Sequence, residues 1–124
     1  MATLNTTLSL SSTDISADET LNISLTDALS ILGQSFSFQV VTSSTGTVFA
    51  AAANYSKSYV LLYNTSTTAS EIITIEKADS GDEYMELAGG EYAFFPWSSD
   101  GDLAADAESG TPTLEVRIFQ AAAS

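Results

Sequence analysis

The sequence predicts an all-β domain: a two-sheet antiparallel β-sandwich, jelly-roll-like, with an immunoglobulin-like sandwich as the runner-up. Three observations predict it. Apolar and polar residues alternate with period two along much of the chain, the pattern of strands buried on one face. Turn-forming clusters between Asn64 and Pro112 recur about every 10–12 residues, the spacing of sandwiches and barrels. The segments between turns are rich in Thr, Val, Ile, Tyr and Phe, whose branched or aromatic side chains suit a pleated surface.

Each element follows from its residues. Leu4, Leu8 and Leu10 alternate with polar residues, with Thr6 at the same-face position between them. Leu21, Ile23 and Leu25 repeat the pattern, as do Phe36, Phe38 and Val40. Thr26 to Leu32 is the one stretch with helical character; Asp27 would cap it, and seven residues make two turns at most. Ser43 to Gly46 is a turn, followed by an apolar stretch from Thr47 to Ala53. Tyr59 to Tyr63 is continuously apolar, as expected of a strand covered on both faces. Asn64 to Ser70 reads as a loop, and Glu71 to Lys77 as a strand. Asp79-Ser80-Gly81-Asp82 is a strong turn signal. Glu83 to Leu87 and Glu91 to Phe95 are strands separated by Ala88-Gly89-Gly90, the second expected to stop at Pro96. Ser98 to Gly101 turns the chain, and Leu103 to Ala107 is a short strand. After Ser109 to Pro112, Thr113 to Phe119 closes the domain with Leu114, Val116 and Ile118 on one face. Eight to ten strands result. They divide the chain into an N-terminal strand or arm (1–12), a sandwich (13–119) and a C-terminal tail expected to fray (120–124). Two packed sheets wound as a jelly roll accommodate that many strands with few exposed edges. The Cys-Trp-Cys core of true immunoglobulin domains is absent.

Composition excludes several functions. The chain has 124 residues, 16 acidic against 3 basic, and neither Cys nor His. Without Cys or His there is no disulfide, no thiolate or imidazole zinc site, and no His-based catalysis. A net charge of −13 opposes binding to a phosphate backbone, so no nucleic-acid partner is expected. No apolar run approaches the ~20 residues of a membrane-spanning helix, and no membrane partner is expected. Met1 to Leu10 lacks a basic start and an apolar stretch, so the chain is expected to be made in the cytoplasm and to be soluble. Its 10% aromatics and mean hydropathy of +0.14 separate it from disordered acidic chains.

The candidate site residues are few. Asp79-Ser80-Gly81 matches the triplet of aspartic proteases, but Asp82 and Glu83 beside it would spoil a tuned carboxyl pair. A plain turn, and no enzyme activity, is the expectation. Asp79 and Asp82 (with Glu83), and Asp100 with Asp102, are weak candidates for calcium. Neither group has a full ligand pattern, so no metal or cofactor is expected. All four asparagines, Asn5, Asn22, Asn54 and Asn64, stand in Asn-x-Ser/Thr sequons and are read as polar strand and loop residues. In the aromatic stretch around Pro96, Tyr92 and Phe94 share one face and Phe95 the other, and most of it is expected in the core. Trp97 is expected at the rim, as a contact for a partner. Lys57, Lys77 and Arg117 are the only Lys and Arg. Arg117 points away from the apolar side of its strand and is placed to reach a carboxylate on a neighbouring subunit.

The stretch from Tyr59 to Phe119 resembles a type of small virion protein encoded by tailed bacteriophages. The resemblance rests on Tyr59-Val60-Leu61-Leu62-Tyr63-Asn64-Thr65-Ser66 and on Leu87-Ala88-Gly89-Gly90-Glu91-Tyr92-Ala93-Phe94-Phe95-Pro96. Gly110-Thr111-Pro112-Thr113-Leu114-Glu115-Val116-Arg117-Ile118-Phe119 completes it, so that about half the chain is covered. The resemblance implies a non-enzymatic β-sandwich located in the virion. Its most natural role is a capsid decoration or cement protein that binds the outer shell and stabilises it. A tail, connector or fibre component is one alternative, and a carbohydrate-binding β-sandwich another. The implied partners are the major capsid protein or other virion proteins, and further copies of the chain, with a trimer expected. Leu4, Leu8 and Leu10, in a strand read as free to add to a neighbour's sheet edge, join Trp97 and Arg117 as interface candidates.

Overall fold

The computed structural model describes residues 2–14 and 20–122, and the side chains of all of these but 33 and 34. Residue 1 of the expected arm and residues 123–124 of the expected tail lie outside the described residues. The described residues form nine strands: β1 (Ala2–Ser12), β2 (Leu21–Val41), β3 (Thr47–Ala50), β4 (Ser58–Asn64), β5 (Ile73–Lys77), β6 (Glu83–Leu87), β7 (Tyr92–Trp97), β8 (Leu103–Ala107) and β9 (Thr113–Ala121). The one helical piece among the described residues is a 3-10 turn at Ala52–Asn54.

The strands form two antiparallel sheets, ordered β1-β2-β9-β4-β7 and β3-β8-β5-β6. The pairs β2·β9, β3·β8, β4·β7 and β5·β6 nest inside one another. This is the arrangement of one long hairpin, closed at the β5–β6 turn and rolled up, which is a jelly roll. The sandwich prediction therefore holds, and the winding is that of the first choice.

The core lies between the sheets. Val60 and Leu62 of β4 and Val116 and Ile118 of β9 face Ile73 and Ile75 of β5 and Leu103 and Ala105 of β8, all fully buried. Phe36, Phe38 and Val40 of β2 pack against its margin. Asn64 pins the two layers together. Its side-chain amide donates to the carbonyls of Glu71 (2.8 Å) and Leu87 (2.9 Å), and its Oδ1 accepts the Ser66 N–H (3.0 Å). Every polar atom of this buried amide group is thus engaged, as burial requires. At the same end, within one layer, Thr42 extends the β2–β9 ladder, its hydroxyl donating to the Pro112 carbonyl (2.6 Å).

Four expectations are corrected. The helix expected at Thr26 to Leu32 is strand, because each residue from Leu21 to Ile31 is paired with β1. Two turns of helix gain less than a ladder that satisfies the whole segment. β7 does not stop at Pro96 but continues to Trp97. It is the edge of its sheet, where a missing N–H facing outward leaves no gap in the ladder. Trp97 is not at the rim: it is 6% exposed and packs against Tyr55, with ring centroids 5.7 Å apart. Alternation in β7 sends Phe95 and Trp97 inward and leaves Tyr92 and Phe94, expected in the core, on the outer face. At the C-terminus β9 runs on to Ala121. Its N–H donates to the Lys57 carbonyl (2.8 Å), and the Ala122 N–H donates to that of Ser30 (3.0 Å).

Candidate functional site

The chemistry-bearing residues named from the sequence do not assemble into a reactive centre. Asp79 and Asp82 lie on the exposed β5–β6 turn, where Gly81 adopts a positive φ of 71° and donates its N–H to the Lys77 carbonyl (2.7 Å). The Asp100–Asp102 loop comes alongside it: the Ala78 N–H donates to the Asp102 carbonyl (2.9 Å). The Asp102 carboxylate, however, accepts the Ala52 N–H (2.7 Å) and serves to hold the 3-10 turn. Among the described residues no three acidic side chains converge as a metal site. Of the sequon residues, Asn5, Asn22 and Asn54 are exposed, and Asn64 is fully buried and consumed by the pin.

What the structure does build is a surface. β1 and the first half of β2 form a two-stranded ribbon, zipped from Ala2↔Ile31 to Ser12↔Leu21. β1 is therefore not an unpaired strand, because each of its residues already has a partner across the ladder. Ribbon and sandwich meet where the β2–β9 register shifts between Ile31 and Ser35. Beyond that point β2 joins the sandwich through β9; before it, β2 leans on β1.

Period-two alternation sorts the ribbon's side chains. One face carries the pairs Leu4↔Leu29, Leu8↔Leu25 and Leu10↔Ile23, interrupted by Thr6↔Asp27. The other face carries Thr3, Asn5, Thr7, Ser9 and Ser11 and their Ser, Ala, Thr and Asn partners. The leucine face is half-covered near the body, where Leu4 and Leu29 are half-buried, and open toward the far end of the ribbon. Leu8, Leu10, Ile23 and Leu25 are 45%, 46%, 39% and 60% exposed. Apolar side chains in register on one side of a strand pair, left in water, are the feature of an interaction surface rather than of chance exposure. Asp27 is the sole charge in the two ribbon segments, and its Oδ1 accepts the Ala28 N–H (2.8 Å).

A second uncovered patch lies on the outer face of the five-stranded sheet. Tyr59, Leu61 and Tyr63 of β4 stand beside Phe94 and Tyr92 of β7, Leu61 opposite Phe94 and Tyr63 opposite Tyr92. Tyr59 stacks on Phe94, with centroids 6.4 Å apart and planes 20° from parallel. Tyr92 is 68% exposed. Two of the three cations edge this patch. Lys57 sits over the Tyr59 ring, its Nζ 5.4 Å from the centroid, and Arg117 holds Glu115 of its own strand at 3.0 Å. An open cleft of about 650 Å³ separates the two patches, with Leu8 and Leu25 on one side and Tyr92 and Phe94 on the other.

Of the interface residues named from the sequence, the structure brings Leu4, Leu8 and Leu10 onto one face, places Arg117 on the outer sheet face, and removes Trp97 to the core. Sequence reasoning missed Leu29 and the exposed aromatics Tyr92 and Phe94. The signal for Leu29 was present: the alternation from Leu21 continues through Asp27, and one carboxylate in the apolar row had broken it.

No protein-family model and no curated protein sequence matches the chain. Among solved structures, the fold is similar to that of a chain described under the words "Bacillus endospore appendages form a novel family of disulfide-linked pili". The two chains are 13% identical, the match covers 76% of this chain and 91% of that one, and the TM-score is 0.54. At that identity the likeness is one of fold. This chain contains no cysteine and so has no disulfide of its own to offer.

Proposed function

We propose that the chain is a non-enzymatic structural subunit of a bacteriophage particle, a decoration or cement protein that binds the outer capsid shell and stabilises it through protein–protein contacts. The observation that carries this reading is the ribbon. A closed sandwich has no need of a two-stranded extension whose leucine face meets water, and such a face lowers its free energy only against another apolar surface. The segments that resemble phage virion proteins fit a scaffold role. Asn64 ties the layers, and Glu91 Oε1 accepts the Ala88 N–H (2.7 Å) in the turn that launches β7. These residues hold the fold and leave contact to the surfaces around it. The net charge of −13 keeps free subunits apart until an apolar contact outweighs their repulsion.

A second reading, a fibre or appendage subunit, is favoured by the fold likeness to a pilus chain. Quantifying this chain against the major shell protein in purified particles separates the two. A copy number comparable to that of the shell protein supports decoration. A few copies per particle would place the chain in the tail, connector or fibre, and absence from particles would overturn the virion reading.

A further inference from the structure

We infer that the leucine face of the ribbon docks on the outer face of the five-stranded sheet of a second copy of this chain. The inference rests on the reading of the ribbon as an assembly surface and names its partner. One chain carries both halves of the contact. The ribbon offers the exposed Leu8, Leu10, Ile23 and Leu25, with Leu4 and Leu29 half-buried behind them; the sheet offers Tyr59, Leu61, Tyr63, Tyr92 and Phe94. Within one chain the two approach only across the open cleft, which leaves Leu25 60% and Tyr92 68% exposed. Little is lost when the ribbon leaves its own sheet for another, which is the condition for exchange of an element between copies.

Charge selects the same pairing. Copies at −13 repel over most of their surface. The ribbon strands carry Asp27 alone, and the outer sheet face carries Lys57 and Arg117, two of the chain's three cations, against one carboxylate of its own, Glu115, which Arg117 holds. Asp27 lies in the leucine row, opposite Thr6, so a ribbon laid on that face turns its one carboxylate toward those cations. An eleven-residue ribbon is about 36 Å long and roughly 10 Å wide across two strands, of which β4 and β7, at seven and six residues, meet about 23 Å. Two ribbons exchanged between two sheets cover roughly 900 Å² in total, the size of a weak, reversible protein–protein interface. The ribbon also has a place to pivot. Its attachment to the body runs through Ile31↔Ala121 and the Ala122 to Ser30 bond, next to the register shift before Ser35.

The test is the oligomeric state of the purified full chain by light scattering across micromolar concentrations. The native chain is expected to be oligomeric, and the variant carrying Leu8→Asn and Leu25→Asn to be monomeric with an unchanged circular dichroism spectrum, since both positions are exposed. Asp27→Arg is expected to weaken association at least tenfold, and adding Arg117→Asp to restore it. Because the chain has no cysteine, Leu25→Cys in one population and Phe94→Cys in another can be mixed and oxidised. A disulfide joining the two variants is then necessarily intermolecular, and from an equal mixture it is expected to exceed the twofold excess over either like pair that random pairing gives. A native chain that is monomeric throughout, or an oligomer that survives Leu8→Asn with Leu25→Asn, overturns the inference. These outcomes are independent of particle copy number. A chain abundant in particles but monomeric in solution overturns this inference alone, and a chain absent from particles that associates through these residues overturns the virion reading alone.

Discussion

Val60 and Leu62 in β4 and Leu8 and Leu10 in β1 hold equivalent places in period-two strands, yet the first pair is fully buried and the second nearly half exposed. In β4 the inward row meets a second sheet; in β1 it meets the cleft and water. The ribbon and the sandwich obey one local rule and differ in what stands opposite. The lesson is that alternation specifies a face, and only a partner layer turns that face into a core.

The largest expected contrast between the two regions is in hydrogen exchange. A two-stranded ribbon by itself is marginally stable, whereas core strands exchange only through global opening, which costs about 5–15 kcal/mol in a typical domain. In the monomer, amides of 2–12 and 21–31 are expected to exchange orders of magnitude faster than those of β4 and β9. Equal protection in both regions would erase the distinction.

Core truncation comes next. Leu62→Ala is expected to destabilise the protein by about 2–5 kcal/mol, read as a lower denaturant midpoint, because the rigid surroundings leave a cavity. Asn64→Ala is expected to cost roughly 1–3 kcal/mol for each buried group it orphans, among them the Glu71 and Leu87 carbonyls. Asn64→Asp would not rescue it, because a carboxylate cannot donate to either carbonyl. The smallest effect is expected at Leu8→Ala. On monomer stability it should stay within about 0.5 kcal/mol, as for other exposed positions, while its effect on association is large. A Leu8→Ala cost comparable to that of Leu62→Ala would mean that the ribbon is part of the core.

Much of the sandwich was legible because its strands are short, punctuated by turn residues, and carry their apolar residues on one face. Leu114, Val116 and Ile118 point one way in the sequence and are fully buried in the structure. Local conflicts account for the misreadings. Asp27 within an apolar row suggested a helix cap, and pairing with Thr6 across the ladder overrode it. Pro96 suggested a strand end, and the edge position of β7 made it harmless. Trp97, assigned to the rim by its neighbours Pro96 and the turn, was placed inside by the parity of a strand one residue longer than expected. For the interaction surface, the leucines of β1 were readable as candidates. The aromatic patch was not, because Tyr92 and Phe94 fit a core strand as well as an outer face.

The sequence by itself determined that the chain is all-β, where most strands start and stop, and which chemistry it lacks. These follow from side-chain period, turn residues and the absence of Cys and His, all local or compositional properties. Only the tertiary structure decided which apolar faces are covered. It wound the strands so that β4 and β9 oppose β5 and β8, and left β1 and the first half of β2 with no sheet closed over them. The physical reason is that burial is a relation between segments far apart in the chain. A strand's own residues fix the direction its apolar side chains take, but the free energy of that choice depends on what the rest of the molecule, or another copy of it, brings to meet them.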